Sequence, residues 1–157
     1  MGDPRKARKQ YRTPSHPWQK VRLEDESKLA VEYGLKNKKE IWKMNSFLSN
    51  ATNQSKKLVT LMGSQAEKEK ENLIQKLKSL LLIRADQGFE DILNLKVQDV
   101  MARRLQTLVH RKGMARSMKQ ARQFIIHGHI LVSGKKITSP SYLVNANEEK
   151  SLSYVPK

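Results

Sequence analysis

No cysteine occurs among the 157 residues, which excludes disulfides, thiolate catalysis, iron–sulfur clusters and cysteine-type zinc sites together. Long apolar runs are also missing. The longest, Leu80-Leu81-Leu82-Ile83, is four residues where a membrane-spanning helix needs about 20, and no signal-type apolar stretch follows the start. A soluble, unsecreted chain is expected. Seven glycines are too few and too scattered for a phosphate-cradling loop or a nucleophile elbow. Glu24, Asp25 and Glu26, like Glu148 and Glu149, are adjacent in polar sequence rather than set across an apolar pocket, so acid–base catalysis has no evident pair and an enzyme is not expected. His127 and His129 flank Gly128 without a third ligand; no metal, cofactor or small-molecule substrate is assigned.

Acidic residues are scarce against basic ones: 15 Asp and Glu face 31 Lys and Arg, a formal charge of +16. The excess is concentrated. Residues 1–22 hold seven bases and one acid, and residues 99–140 hold nine and one, while residues 63–98 are balanced at six and six. Two separated basic blocks read as two surfaces addressed to a polyanion rather than as an even solubilising coat. Three segments follow: an extended basic arm at 1–22, a helical domain at 23–96, and a second domain at 97–157.

The arm, MGDPRKARKQYRTPSHPWQKVR, interleaves Arg5, Lys6, Arg8, Lys9 and Arg12 with Tyr11, Trp18 and three prolines, and shows no apolar period. Such a stretch buries little alone; on RNA its cations neutralise phosphates while its aromatics stack on bases or pack onto the body. Helical spacing begins near Glu24, with Leu29 and Tyr33, a stop at Gly34, then Ile41, Met44 and Leu48. Lys36, Lys38, Lys39 and Lys43 cluster at that turn and on the second helix, Lys36, Lys38 and Lys39 being candidate RNA contacts. Residues 65–83 predict another helix, with Leu73, Leu77, Leu80 and Leu81 on its buried stripe.

A single helix is predicted over 97–112, burying Met101, Leu105, Leu108 and Val109 and leaving Arg103, Arg104 and Arg111 outside. After Gly113, Ser117 and Gln120 form a capping box that opens a helix from Met118 to about His127. Its inward stripe is Met118, Ala121 and Ile125; Lys119, Arg122 and Gln123 point elsewhere, and Arg116 stands at the N-terminus, whose free N–H groups favour phosphate. Beyond Gly128 the period becomes two: Ile130-Leu131-Val132, a turn at Ser133-Gly134-Lys135, then Lys136-Ile137-Thr138, a hairpin with a basic tip formed by Lys135 and Lys136. Tyr142-Leu143-Val144 and then Leu152 with Tyr154 read as further strands. The fold class is therefore α+β: a mainly helical amino-terminal half with an extended arm, and a small helix-pair and sheet module.

RRLQTLVHRKGMARSMKQARQFIIHGHILVSGKKITSPSYLV, residues 103–144, resembles the RNA-binding module of ribosomal protein S-four, and the arm together with EYGLKNKKEIWK resembles the amino-terminal half of that family's archaeal form. The resemblance implies a structural constituent of the small ribosomal subunit, cytoplasmic within the ribosome. It implies direct binding of small-subunit ribosomal RNA at a helix junction of the 5′ domain, early in assembly, with an influence on decoding accuracy. Neighbouring small-subunit proteins are implied as partners. Carried over by position, the helix-pair contacts fall to Arg103, Arg104, Lys112, Arg116, Lys119, Arg122, Gln123 and His127. The cysteine zinc site of some bacterial relatives is impossible here, and SNATNQSKK, residues 49–57, has fewer arginines than the family pattern. A helix-turn-helix DNA reader shares the two short helices, but the hairpin directly after the second and the absence of a dimerising element argue against it. An RNA-modifying enzyme and a ribosome-rescue factor can carry the same module; the helices and basic arm outside it leave the first no room for a catalytic domain.

Overall fold

The computed structural model describes residues 9–84 and 88–155, as seven α-helices, one 3-10 turn and a three-stranded antiparallel sheet among those residues, an α+β arrangement. Arg5, Lys6 and Arg8 lie outside the described residues. Helix α1 (Lys20–Glu32) ends in the left-handed turn expected at Gly34, whose φ is +56°. The Leu35 N–H donates to the Ala30 carbonyl at 2.9 Å, closing the helix end. Glycine is required there twice over, because a Cβ would also stand 2.9 Å from the Cβ of Met118.

Helix α2 (Lys39–Thr60) turns Ile41, Met44, Ala51 and Leu58 inward, and α3 (Ser64–Ser79) returns antiparallel to it with Ala66, Leu73 and Leu77 buried. The expected buried stripe runs only as far as Leu80. Leu81 takes a φ of +53° and is 52% exposed, because the chain ends α3 by bonding Leu81 N–H to the Lys78 carbonyl and Leu82 N–H to the Leu77 carbonyl. That reversal sends Leu82 and Ile83 into the core instead. After a 3-10 turn (Glu90–Asn94), helix α4 (Val97–Ala102) completes the first core with Val100 and Met101.

The single helix expected over 97–112 is two. Helix α4 stops at Ala102 and α5 spans Leu105–Arg111, with Arg104 between them in extended conformation. Backbone pairing with a later segment causes the break: Leu105 N–H donates to the Tyr142 carbonyl at 2.8 Å, and Val144 N–H to the Arg103 carbonyl at 3.1 Å. Met101 therefore belongs to the first core, while Leu105, Leu108 and Val109 belong to a second that also holds Ala121, Ile125, Ile130, Val132, Val144 and Leu152.

Helix α6 (Met118–Ile126) packs on α5 and ends at Gly128, φ +74°. Strands β1 (Ile130–Val132), β2 (Lys135–Lys136) and β3 (Ser153–Tyr154) follow in spatial order β2-β1-β3. The hairpin turn is two residues, Ser133 and Gly134, both with positive φ, so Lys135 pairs with Val132 inside the sheet rather than standing in the turn. Residues 142–144 form only a single bridge, Arg104 with Leu143. A short helix α7 (Ala146–Lys150), not expected from the sequence, lies between the two segments read as strands; its signal was the Asn145 to Glu148 spacing, which places the Glu148 carboxylate on the Asn145 N–H at 2.9 Å.

Candidate nucleic-acid interface

The α5–α6 pair is held rigidly where it turns. Ser117 Oγ accepts from the Gln120 N–H at 3.2 Å, and the Gln120 side chain reaches back to the Arg116 N–H at 2.7 Å, one residue beyond the expected capping partner. The Ala115 carbonyl can only accept, so His110 donates to it through Nδ1 at 3.1 Å. This frame exposes Arg111, Lys112 and Arg116 around the loop. Lys119, Gln123 and His127 stand exposed at four-residue steps along one face of α6. Lys112 also donates to the Glu149 carbonyl. Lys135 and Lys136 are exposed on β2, and the Lys136 stem lies over Gly128, where a Cβ would meet its Cε at 2.7 Å. The hairpin cation is thereby joined to the carbonyl end of α6, where positive charge is favoured.

Arg104 is corrected. Expected outside the helix stripe, its side chain is 1% exposed and donates to Glu40 Oε2 at 2.5 Å. Arg122 binds the same carboxylate, with contacts of 3.0 Å to Oε1 and 3.2 Å to Oε2, and is 21% exposed. Arg103 turns to Glu149 at 2.8 Å and to the Val144 carbonyl at 3.2 Å, 12% exposed. The helix break produces the inward positions of Arg103 and Arg104: residues in the link between two helices do not follow the angular order of either. Burial alone would raise the Glu40 carboxyl, but hydrogen bonds from Arg122 and Arg104 outweigh it and hold the group below its ordinary range. Burial also lowers the Arg104 guanidinium, against the opposing pull of Glu40.

Glu40 sits in the first turn of α2, so this ion cluster fixes the lysine-bearing turn beside α6. Gln106 adds a second tie, its Nε2 lying 3.2 Å from the Tyr33 and Gly34 carbonyls and 2.9 Å from that of Met118. Neither Glu40 nor Gln106 was visible as an organiser in the sequence, because their partners lie 64 to 82 and 12 to 73 residues away. Around α2, at about 100° per residue, Lys39 and Lys43 fall between the Glu40 edge and the face of Trp42 and Ser46. Lys36, Lys39 and Lys43 are exposed; Lys38 is half-exposed, 3.5 Å from Glu26 Oε2. Lys43 and Arg111, absent from the expected contacts, share these exposed positions and could have been found from their place off the apolar stripes.

The described part of the arm is tied to the body. The Arg12 N–H donates to Ser46 Oγ at 2.9 Å, and the Tyr11 ring lies 6.1 Å from that of Trp42. The arm's aromatics thus divide: Tyr11 packs on α2, whereas Trp18 is 89% exposed. Lys9 and Arg12 are exposed beside them. Lys9, Arg12, Lys39, Lys43, Arg116, Lys119 and Lys136 thus decorate connected elements, the arm on α2 and α2 on α6. Among the described residues, no helix is long and apolar enough to cross a membrane and no three His, Asp or Glu side chains are placed to hold a metal ion.

The family model described as the S4 domain matches residues 103–150. The chain is 50% identical over 157 residues to small ribosomal subunit protein uS4 of Methanococcus aeolicus, covering 99% of this chain and 89% of that protein. It is 47% identical over 161 residues to the protein of the same name from Methanocella arvoryzae, covering 98% and 78%, and 44% identical over 156 residues to that of Methanothermobacter thermautotrophicus, covering 99% and 91%.

Proposed function

Because this chain belongs to the uS4 family of small ribosomal subunit proteins, we propose that it docks directly on small-subunit ribosomal RNA at a junction of helices in the 5′ domain, early in subunit assembly. It is a structural constituent of the small ribosomal subunit, not an enzyme, and works in the ribosome in the cytoplasm. Neighbouring ribosomal proteins share its site, and its grip on the junction supports accurate decoding.

One observation carries the docking mode: the Glu40 carboxylate joins α2 to Arg104 and Arg122, so that lysines of two distant segments are held in fixed relation. Arg116, Lys119, Lys135 and Lys136 neutralise phosphates on one side of the junction, and Lys36, Lys39 and Lys43 with the arm do so on the other. Gln123 and the N–H groups at the start of α6 orient the backbone. A rigid surface of this kind reads the shape of folded RNA more than its sequence.

The test is an equilibrium titration of the full chain with a 5′-domain transcript across a salt series, with unstructured poly(U) of equal mass as competitor. If about 6–10 phosphates are engaged, affinity falls by roughly 10³–10⁵ between 50 and 200 mM salt, taking the duplex rule as guide. Binding that ignores salt, or that poly(U) displaces as readily as unlabelled transcript, overturns the reading.

A further inference from the structure

The carboxyl-terminal end of α6 carries rings that the cations of the docking surface leave unused. Ile130 of β1 stands opposite Tyr154 of β3, which puts the Tyr154 ring on the same face of the sheet as the buried Ile130 and against α6. There the ring lies 5.2 Å from that of Phe124, and His129 lies 5.8 Å from Phe124 and 6.0 Å from Tyr154. His127 adds a fourth ring 6.4 Å from His129. Backbone pairing holds the cluster in place: the Val155 N–H donates to the His129 carbonyl at 2.8 Å, and His129 Nδ1 donates to the Val155 carbonyl at 3.2 Å. Phe124 and His129 are half-buried, whereas His127 is exposed and Tyr154 is 41% exposed. Among the described residues, Trp18 and Tyr154 are the Phe, Tyr and Trp side chains left exposed. Around α6, at about 100° per residue, His127 falls between Gln123 on the outer face and Phe124, so the rings continue the face that carries Lys119. Lys136 approaches from β2, its stem lying over Gly128.

A phosphate gains little from a tyrosine ring, whereas every nucleobase has a flat face that stacks on one. We propose that this ring cluster seats one unpaired nucleobase of the bound RNA, stacked on Tyr154 with His127 at its side; the inference rests on the RNA-docking reading. Lys119 and Lys136 neutralise the flanking phosphates, which ties the seat to the cation face. Phe124 and His129, packed behind, keep the Tyr154 ring from turning away. Stacking alone holds the base, so the seat accepts all four and marks a place where the strand is unpaired rather than a particular sequence.

The seat is tested by anisotropy at moderate salt with two fluorescein-labelled probes of equal charge: the ribohexamer U6 and a hexamer of the same backbone lacking every base. The full chain carries Trp18→Ala throughout, so that the other exposed ring adds nothing. U6 is expected to bind about tenfold more tightly than the abasic hexamer, the discrimination of one stacked base. Adding Tyr154→Phe keeps that preference, because the ring and not its hydroxyl is used, and adding Tyr154→Ser brings the two probes within about twofold. His127→Ala, at an exposed position, cuts the preference to about threefold and carries the test should the serine variant not fold. Equal affinities before either change overturn the seat, as does a tenfold preference that survives in Tyr154→Ser or, where that variant does not fold, in His127→Ala. If neither hexamer binds but the 5′-domain transcript does so with steep salt dependence, the seat alone falls; if no RNA binds, both readings fall.

Discussion

The Arg104 guanidinium meets the Glu40 carboxylate at 2.5 Å with 1% of its own side chain and 13% of its partner's exposed. Arg122 closes on the same carboxylate, so one acid holds two cations from the carboxyl-terminal module against the helical half. A cluster of this kind is weak evidence for a net gain over apolar packing, but breaking it by removing one partner is costly.

Glu40→Ala leaves Arg104 buried and unpaired, and stability is expected to drop by about 3–5 kcal/mol. Urea unfolding followed by circular dichroism measures it; a drop under about 1 kcal/mol would mean that solvent reaches Arg104 freely. Reversing Arg104 to Glu sets two carboxylates face to face, so that substitution reports on folding and not on RNA contact.

Acid should weaken the same cluster. The folded state holds Glu40 below its ordinary value of 4.5, so its contribution is complete above that value and is lost as the pH falls through the lower folded value. Glu40→Gln removes this contribution at every pH. The stability gap between wild type and Glu40→Gln is expected to be widest near neutrality and to close in acid; a gap that grows on acidification contradicts the assignment.

RNA contact is better tested on cations that are exposed. Lys119→Ala and Lys39→Ala should each lower the slope of log affinity against log salt by about one while leaving the melting temperature within error. A loss of affinity with an unchanged slope would assign them roles other than phosphate contact.

At Gly34 the backbone itself is the constraint. Gly34→Ala adds a Cβ at φ +56° and 2.9 Å from the Met118 Cβ, and is expected to cost at least about 1–2 kcal/mol. Calorimetry reads the lowered melting temperature; an unchanged one would show that the contact between the α1–α2 turn and α6 is loose.

The arm separates local from tertiary information. Its lack of apolar period suggests a segment whose removal scarcely alters the free protein, yet Arg12 is bonded to Ser46 and Tyr11 packs on Trp42. Deleting residues 1–22 is therefore expected to lower the melting temperature by several degrees. Trp18→Ala, at an 89% exposed position, should weaken RNA binding alone. Parallel melting and anisotropy measurements on the two variants decide whether stability and binding part in this way.

The sequence by itself determined what is set within a few residues or summed over the chain: the absence of thiol chemistry, the two basic blocks, the stop at Gly34, the Ser117 cap and the stripes of α2, α3 and α6. Those features follow from composition, backbone freedom and helical period, which need no distant partner. The Leu81 reversal, the break at Arg103–Arg104, the burial of Arg104 and the tying of the arm were decided only in the tertiary structure. Each depends on where a chain end reverses, or on a carbonyl, carboxylate or ring brought from far along the chain, and an arginine's pattern does not say whether its partner is a phosphate or its own protein's glutamate.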